Sequence, residues 1–383
     1  MRQQTPNGLR CAKSWLVVWL IVVVPGCDWW GAEEQPDAHA PIPDFKTLVS
    51  DSRSAPAEPA QLDLKLKVGD RFPLLKTVEQ SLTQQTQQGE QTSHSTMELS
   101  LAITVEEERG GHKRMGVRYD RVRYRQDIAG EQIEFDSQNP QEPLPMAVKA
   151  YAGLPGNGFS FWIGSDNQLI ELVGFEDFLK RCVKSVAPAQ RQEVMAALLE
   201  SAGDEGIANF VDDSIGLLPY RPEADEHASA VRVGDRWERK RQVVRPIPMY
   251  LTSVYTLSEL TDRTARIDIV GSISHSTTYG PSGQQQNDLQ VTVTGGHSLG
   301  SCTIDRDTGL PLNSRVERYL EMTVQLADGV QFKQQKRILT TMRAFPQQTS
   351  GGEILPVGAQ SPQPSAANGP AHVSNAANVS GGR

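Results

Sequence analysis

The chain has 383 residues, enough for two ordinary domains or one large one, and a formal charge of −8. Removing residues 1–26 would take away Arg2, Arg10 and Lys13 and leave about −11. Such a balance argues against a basic nucleic-acid face and against electrostatic docking on anionic lipid.

Trp15 to Val24 is an unbroken apolar run, preceded by those three cations and no acid, and ended by Pro25-Gly26-Cys27. A basic start, a short apolar centre and a small-residue exit are the parts of a secretory signal peptide. The run is shorter than the roughly 20 residues of a membrane span. Val24-Pro25-Gly26-Cys27 resembles the lipobox of bacterial lipoproteins, although Pro25 departs from its commonest form. That resemblance implies export, lipidation of Cys27 and a firm anchor through several acyl chains. The expected place is the cell envelope, facing the periplasm or the exterior, with the membrane as a partner through the lipid.

Residues 27–60 are rich in Ala, Pro, Asp and Glu and read as a flexible tether. At about 5–6 Å times the square root of its length it would hold the body roughly 30 Å from the membrane. Residues 347–383 read as a disordered tail.

Between them the pattern predicts an α+β, mainly β body. It has two β-rich halves of antiparallel strands, 61–173 and 217–346, with a helical insert at 174–216. Met97, Leu99, Leu101, Ile103 and Val105 alternate with polar residues, as in a half-buried strand. Met115, Val117 and Tyr119 lie on odd positions but Val122 and Tyr124 on even ones, which predicts a β-bulge near Asp120-Arg121. Arg118, Arg121, Arg123 and Arg125 then share the other face. Glu106, Glu107 and Glu108 are their expected cross-strand partners; the other reading is an anion-binding stripe. Residues 161–172 read as a hairpin around Gly164-Ser165-Asp166-Asn167. Phe175, Phe178, Leu179, Cys182 and Val183 share a helical face. Pro188 opens a second helix and Asp204 caps a third. Leu217 to Asp225 reads as a linker. Strands are expected at 235–245, 249–259, 264–275, 288–294, 299–305, 310–326 and 330–344, with a polar loop at 277–287.

Lys67-Val68-Gly69-Asp70-Arg71-Phe72 recurs as Arg232-Val233-Gly234-Asp235-Arg236-Trp237. The hairpin FSFWIGSDNQLIEL likewise resembles SCTIDRDTGLPLNS. Two such pairs in the same order suggest tandem copies of one unit. Each Gly-Asp pair is expected to make a tight turn into a strand.

The lipobox, the Val-Gly-Asp-Arg starts, Val117 to Val122, Gly300 to Asp305 and Thr308-Gly309 together resemble a family of uncharacterised bacterial lipoproteins with a duplicated β-rich domain. The resemblance covers about residues 62–345 and implies no known activity. In element order the chain is more distantly similar to periplasmic half-barrels that carry lipids or lipoproteins. That likeness is analogy.

No nucleophile-elbow, zinc-protease, phosphate-loop or dinucleotide motif occurs. No Cys/His spacing suggests a metal site, no cofactor is implied, and no catalytic residue is marked. His297-Ser298, in Gly295 to Gly300, reads as a hairpin turn. Asp305-x-Asp307-x-Gly309 lacks the further ligands of a calcium loop and reads as a turn. Asp212-Asp213 reads as solvated. Cys182 and Cys302 both read as inward and form a candidate disulfide. Two functions follow as expectations. One is a non-enzymatic envelope lipoprotein with a structural or protein-binding domain. The other is a carrier or sensor of an apolar ligand, a lipid or lipoprotein, in a cavity between sheet and helices.

Overall fold

The computed structural model describes residues 59–345, apart from 87–88, 129–130, 203–209, 212, 220–229, 244–246, 276–288 and 327–328. The signal peptide, Cys27, nearly all of the tether, the 277–287 loop and the tail therefore lie outside the described residues.

The body is mainly β, with antiparallel pairing throughout, as its alternating pattern predicts. Strands β1 (Ala60–Gln61), β2 (Arg71–Thr86), β3 (Gly89–Arg109), β4 (His112–Ile128), β5 (Glu131–Asp136), β6 (Gly158–Ile163) and β7 (Leu169–Val173) make the first half. Helices α1 (Met146–Ala152), α2 (Phe175–Cys182) and α3 (Arg191–Ala202) follow or interrupt them. Strands β8 (Ala230–Val231), β9 (Arg236–Val243), β10 (Met249–Leu260), β11 (Thr264–His275), β12 (Leu289–Asp305), β13 (Pro311–Leu326) and β14 (Gln331–Ala344) make the second.

The phase change in β4 has the expected cause. Leu101 pairs with Tyr119 and Ser100 with Arg121, so Asp120 is an extra residue. The bulge turns Met115, Val117, Tyr119, Val122 and Tyr124 inward together, all buried. It also gathers the four arginines outside. Their acids are not those expected: Arg121 pairs with Asp136, Arg123 with Glu98 and Asp136, and Arg125 with Glu134. Glu106, Glu107 and Glu108 take Arg114, Arg109 and Lys113, because register places them beside the β3–β4 turn. The arginines therefore sit among carboxylates, which argues against an anion stripe.

The two Val-Gly-Asp-Arg segments fold alike. Gly69 and Gly234 each take φ 95°, a left-handed conformation that glycine adopts without strain. Asp70 N donates to Lys67 O and Asp235 N to Arg232 O. The Asp70 and Asp235 carboxylates accept from Lys67 N at 2.7 Å and Arg232 N at 2.9 Å. Gly69 N donates to Val105 O and Gly234 N to Leu257 O, both at 2.8 Å. Each turn thus ties itself to the strand after the one it opens.

Both halves belong to one 12-stranded sheet. Its order is β7-β6-β4-β3-β2-β14-β13-β12-β11-β10-β9, with β5 paired to β4 off this path. The first long strand joins the last: Leu74 faces Ala344 and Gln84 faces Gln334. The edge strands β7 and β9 are brought near each other by side chains. Arg239 on β9 donates to Asp166 O in the β6–β7 turn at 3.0 Å and to Leu218 O at 2.8 Å. Trp237 Nε1 donates to Leu217 O at 2.9 Å. Leu217 and Leu218 are fully buried beside a 3-10 turn, Ile215–Leu217. The expected linker thus begins inside the core, because its leucines fill the seam between the two edges.

Helices α2 and α3 form where the 3.6-residue period predicts them. α1 escaped the periodicity reading because seven residues give barely two turns. Phe178 of α2 packs 5.1 Å from Phe159 and 5.9 Å from Tyr119, and Tyr151 of α1 packs 5.0 Å from Tyr124. One apolar core runs from these rings to Tyr255, Leu257, Ile267 and Val316 in the second half. Leu62, Leu64 and Leu66 close it from below by strict alternation. There Lys65 N donates to Thr308 O, and β1 pairs with β8. The first described strand thus starts at Ala60, one residue before the expected boundary at 61.

Candidate functional site

A second, smaller apolar cluster centres on Leu82, Ile273, Val293, Leu320 and Met322. A polar belt separates it from the main core. Register sets the belt out on the inner face: Gln80, Ile338, Arg318, Ser298, Gly271, Ser253 and Arg239 stand opposite one another from β2 through β14 to β9. Every position but Ile338 is polar or glycine. Arg318 points inward because it keeps the phase of Val316 and Leu320, both buried.

Arg318 forms an ion pair with Asp213, which reaches the belt from the turn preceding Ile215–Leu217, and each side chain is only 12% exposed. A carboxylate read as solvated is therefore buried, because the chain folds back over the sheet at this point. Asp212 lies outside the described residues. Lys76, on β2 four residues before Gln80 of the belt, holds its ammonium 5.5 Å from the Phe210 ring. Burial pushes its pKa down from 10.5 to about 8, against the attraction of Asp213 and with the repulsion of Arg318.

The belt leaves a hollow lined by Gln168, Asp213, Arg239, Arg241, Ser253, Tyr255, Ser298 and Arg318, among others. Its volume is about 20 Å³. That is room for one water-sized group. Small residues create it. A Cβ at Gly271 would collide with Ser298 Oγ and approach Ser253 Oγ at 3.4 Å. Trp237 stacks on Tyr255, a lining residue, at 6.0 Å.

The other residues singled out from the sequence lie elsewhere. His297 is mid-strand on the outer face, stacked on Tyr319 at 4.8 Å. Gly295 to Gly300 is no turn. β12 runs through it with one irregularity between Val293 and Gly295, so the two strands expected at 288–294 and 299–305 are one. The glycines are needed because a Cβ at Gly296 would collide with Tyr319 O, and one at Gly300 would lie 3.0 Å from Val316 Cα. The Asp305 carboxylate accepts from Thr308 N and Thr308 Oγ1, both at 2.8 Å, which makes the expected turn. Among the described residues no group of three or more His, Cys, Asp or Glu is placed to hold a metal.

Cys182 and Cys302 are both buried, and both are free thiols. The candidate disulfide is therefore corrected. Cys182 ends α2 against Gly153, while Cys302 lies in β12 between Ile267 and Ser314. Inward placement served packing in each case. Burial raises the Cys182 thiol to about 11 and raises Cys302 further, so neither is a ready thiolate.

The model of a family of unknown function, DUF6263, matches residues 110–311, more than half of the chain. The protein belongs to that family. The matched stretch runs from the β3–β4 turn to the start of β13 and contains Arg239, Ser253, Gly271 and Ser298 but not Arg318. No curated protein matches the chain. Among solved structures it is similar to the translocator domain of the autotransporter NalP from Neisseria meningitidis, at 6% identity over 74% of this chain and 91% of that one, with a TM-score of 0.17. It is also similar to the outer membrane channel DcaP of Acinetobacter baumannii, at 8% identity over 73% and 56%, with a TM-score of 0.14. At such scores the likeness carries no argument about this chain.

Proposed function

We propose that this DUF6263 member is a lipid-anchored envelope protein whose body is a non-enzymatic structural or protein-binding module. The observation that carries the anchor is the apolar run closed by Gly26-Cys27, about thirty residues before the first buried strand residue, Ala60. A structural or binding module is supported by the two apolar clusters that pack the inner face among the described residues. A carrier of an apolar ligand needs a cavity of roughly 300 Å³ or more. The hollow in the belt, formed by described residues, is far smaller and has guanidinium groups in its lining, so it does not support that reading.

The paired turns and the similar places of the β6–β7 and β12–β13 hairpins support an origin by duplication. Asn167 and Gly309 both take left-handed φ in those hairpins, 59° and 74°.

The anchor is tested by mass spectrometry of the mature N-terminus. Acyl chains on Cys27 are expected, and Cys27→Ser should yield an unprocessed or soluble form. An unmodified Cys27 in the membrane fraction would end this reading. Lipid extraction of the purified protein should find no stoichiometric apolar ligand.

A further inference from the structure

We propose that the open edge of β9 pairs with the β9 of a second copy of this chain, antiparallel and about a twofold axis at Arg239. Among the described residues, the 12-stranded sheet leaves β5, β7 and β9 with one open side each. The longest of these is β9, with 8 residues. Its counterpart in the first half is β2, which follows the same turn. On the side of β2 away from β3 lies β14, and Pro73 O there accepts from Phe345 N. The same side of β9 carries no strand among the described residues.

Phase decides which groups are open. Gly234 N donates to Leu257 O, and Leu257 N to Asp235 O. The residues that then bond β10 are Trp237, Arg239 and Arg241, opposite Tyr255, Ser253 and Leu251. The main-chain N–H and C=O of Glu238 and Lys240 therefore point to the open side, as a template for another strand. Their side chains stand clear on the outer face, 48% and 73% exposed.

Charge selects the occupant. With the axis at Arg239, Glu238 faces the second copy's Lys240, and Lys240 faces its Glu238. Each facing pair exchanges both main-chain bonds and sets opposite charges together. A slip of one residue turns the bonding groups away. A slip of two sets Glu238 against Glu238 or Lys240 against Lys240. Glu238 and Lys240 already meet at 3.0 Å along the strand, so the pairing joins two such pairs into one alternating cluster. Arg239, on the axis, points to the inner face, where the Asp166 and Leu218 carbonyls hold its guanidinium within its own chain. The other edges lack this self-match: β5 carries Glu131, Glu134 and Asp136 and no cation, and β7 carries Glu171 alone. Contact along one edge is small beside the roughly 1,200 Å² of a stable interface, so the pair is reversible. This inference goes beyond the anchor and the binding module proposed above and depends on neither.

The test uses the full mature protein in detergent, measured by native mass spectrometry over a concentration series. The expected result is a monomer–dimer equilibrium that stops at two copies, since an isologous contact closes on itself. Hydrogen exchange at the Glu238 and Lys240 amides should slow as the dimer forms. Lys240→Glu sets like charges opposite each other and should weaken the dimer about tenfold. Adding Glu238→Lys restores opposite charges and should recover it. Lys240→Pro removes an N–H that β10 does not use, so the monomer should keep its far-ultraviolet circular dichroism and lose the dimer. Monomers at every concentration, association beyond two copies, a dimer that both Lys240 variants leave unchanged, or a charge swap that fails to restore it would overturn the proposal.

Discussion

The two halves of the sheet open on the same turn and then fill their inner faces differently. In the first half helices α1 and α2 lie against the sheet with α3 packed on them, and aromatic rings do the filling: Tyr119, Phe159, Phe175 and Phe178 pack together with centroids 5.1 to 5.9 Å apart. In the second half the inner face is crossed by a row of arginines, serines and glycine. The comparison teaches that alternation fixes which residues point inward, and that what lies over them decides whether they must be apolar. Where helices cover the sheet, burial of rings stabilises it. Where the chain folds back with Asp213, the same inward phase can hold a charged pair.

Truncating the helix side should give the largest effect. Phe178 is fully buried among three rings, so Phe178→Ala should cost about 4 kcal/mol in urea-unfolding measurements. The belt should respond next. Asp213→Asn leaves Arg318 buried beside a neutral amide and should cost about 3 kcal/mol. The double change Asp213→Leu with Arg318→Met should recover most of that loss. If the double variant is no better than the single, the ion pair is not what holds the fold-back in place.

Lys76 gives an opposite sign. Its pKa is lowered in the fold, from 10.5 to about 8, so the unfolded chain binds the extra proton between those values. Stability should therefore rise with pH from about 8 to 10.5, and the cost of the charge applies in full below that window. Lys76→Met should stabilise the protein by about 2 kcal/mol at pH 7 and flatten this slope. A slope that survives the substitution would assign it to other groups. The smallest effects should come from the paired turns. Asp70→Ala and Asp235→Ala each remove one side-chain bond to a backbone N–H and should each cost about 1 kcal/mol. Unequal costs would show that equal geometry hides unequal surroundings.

Much of the architecture was readable from local pattern. The phase slip between Tyr119 and Val122 locates a bulge by counting alone, and Phe175, Phe178 and Cys182 mark a helix by their period. Repetition of Val-Gly-Asp-Arg marks two turns that the structure finds alike bond for bond. What was not readable depends on distant chain. Arg318 already showed its inward phase between Val316 and Leu320, and that was the missed signal. Its partner Asp213 lies 105 residues away, and no spacing links them. Glycines mislead in the same way. Gly295 to Gly300 suggests a turn when read alone, yet the glycines serve close approach to the neighbouring strand. The thiols show the limit again: Cys182 and Cys302 both point inward, but inward describes direction and not proximity.

The pairing of β2 with β14 has a consequence in time. Gln334 donates to Gln84 at 2.9 Å across 250 residues of chain. Neighbouring strands elsewhere in the sheet are mostly hairpin partners, and hairpins close in microseconds. The β2–β14 ladder must wait until the whole body has emerged, and contacts of such separation slow folding. During that wait β2 presents an open edge of Thr, Gln and Ser residues, a template for pairing with another chain. A protein built this way should refold slowly at low concentration and aggregate at high concentration, unless a chaperone covers that edge until residue 344 arrives.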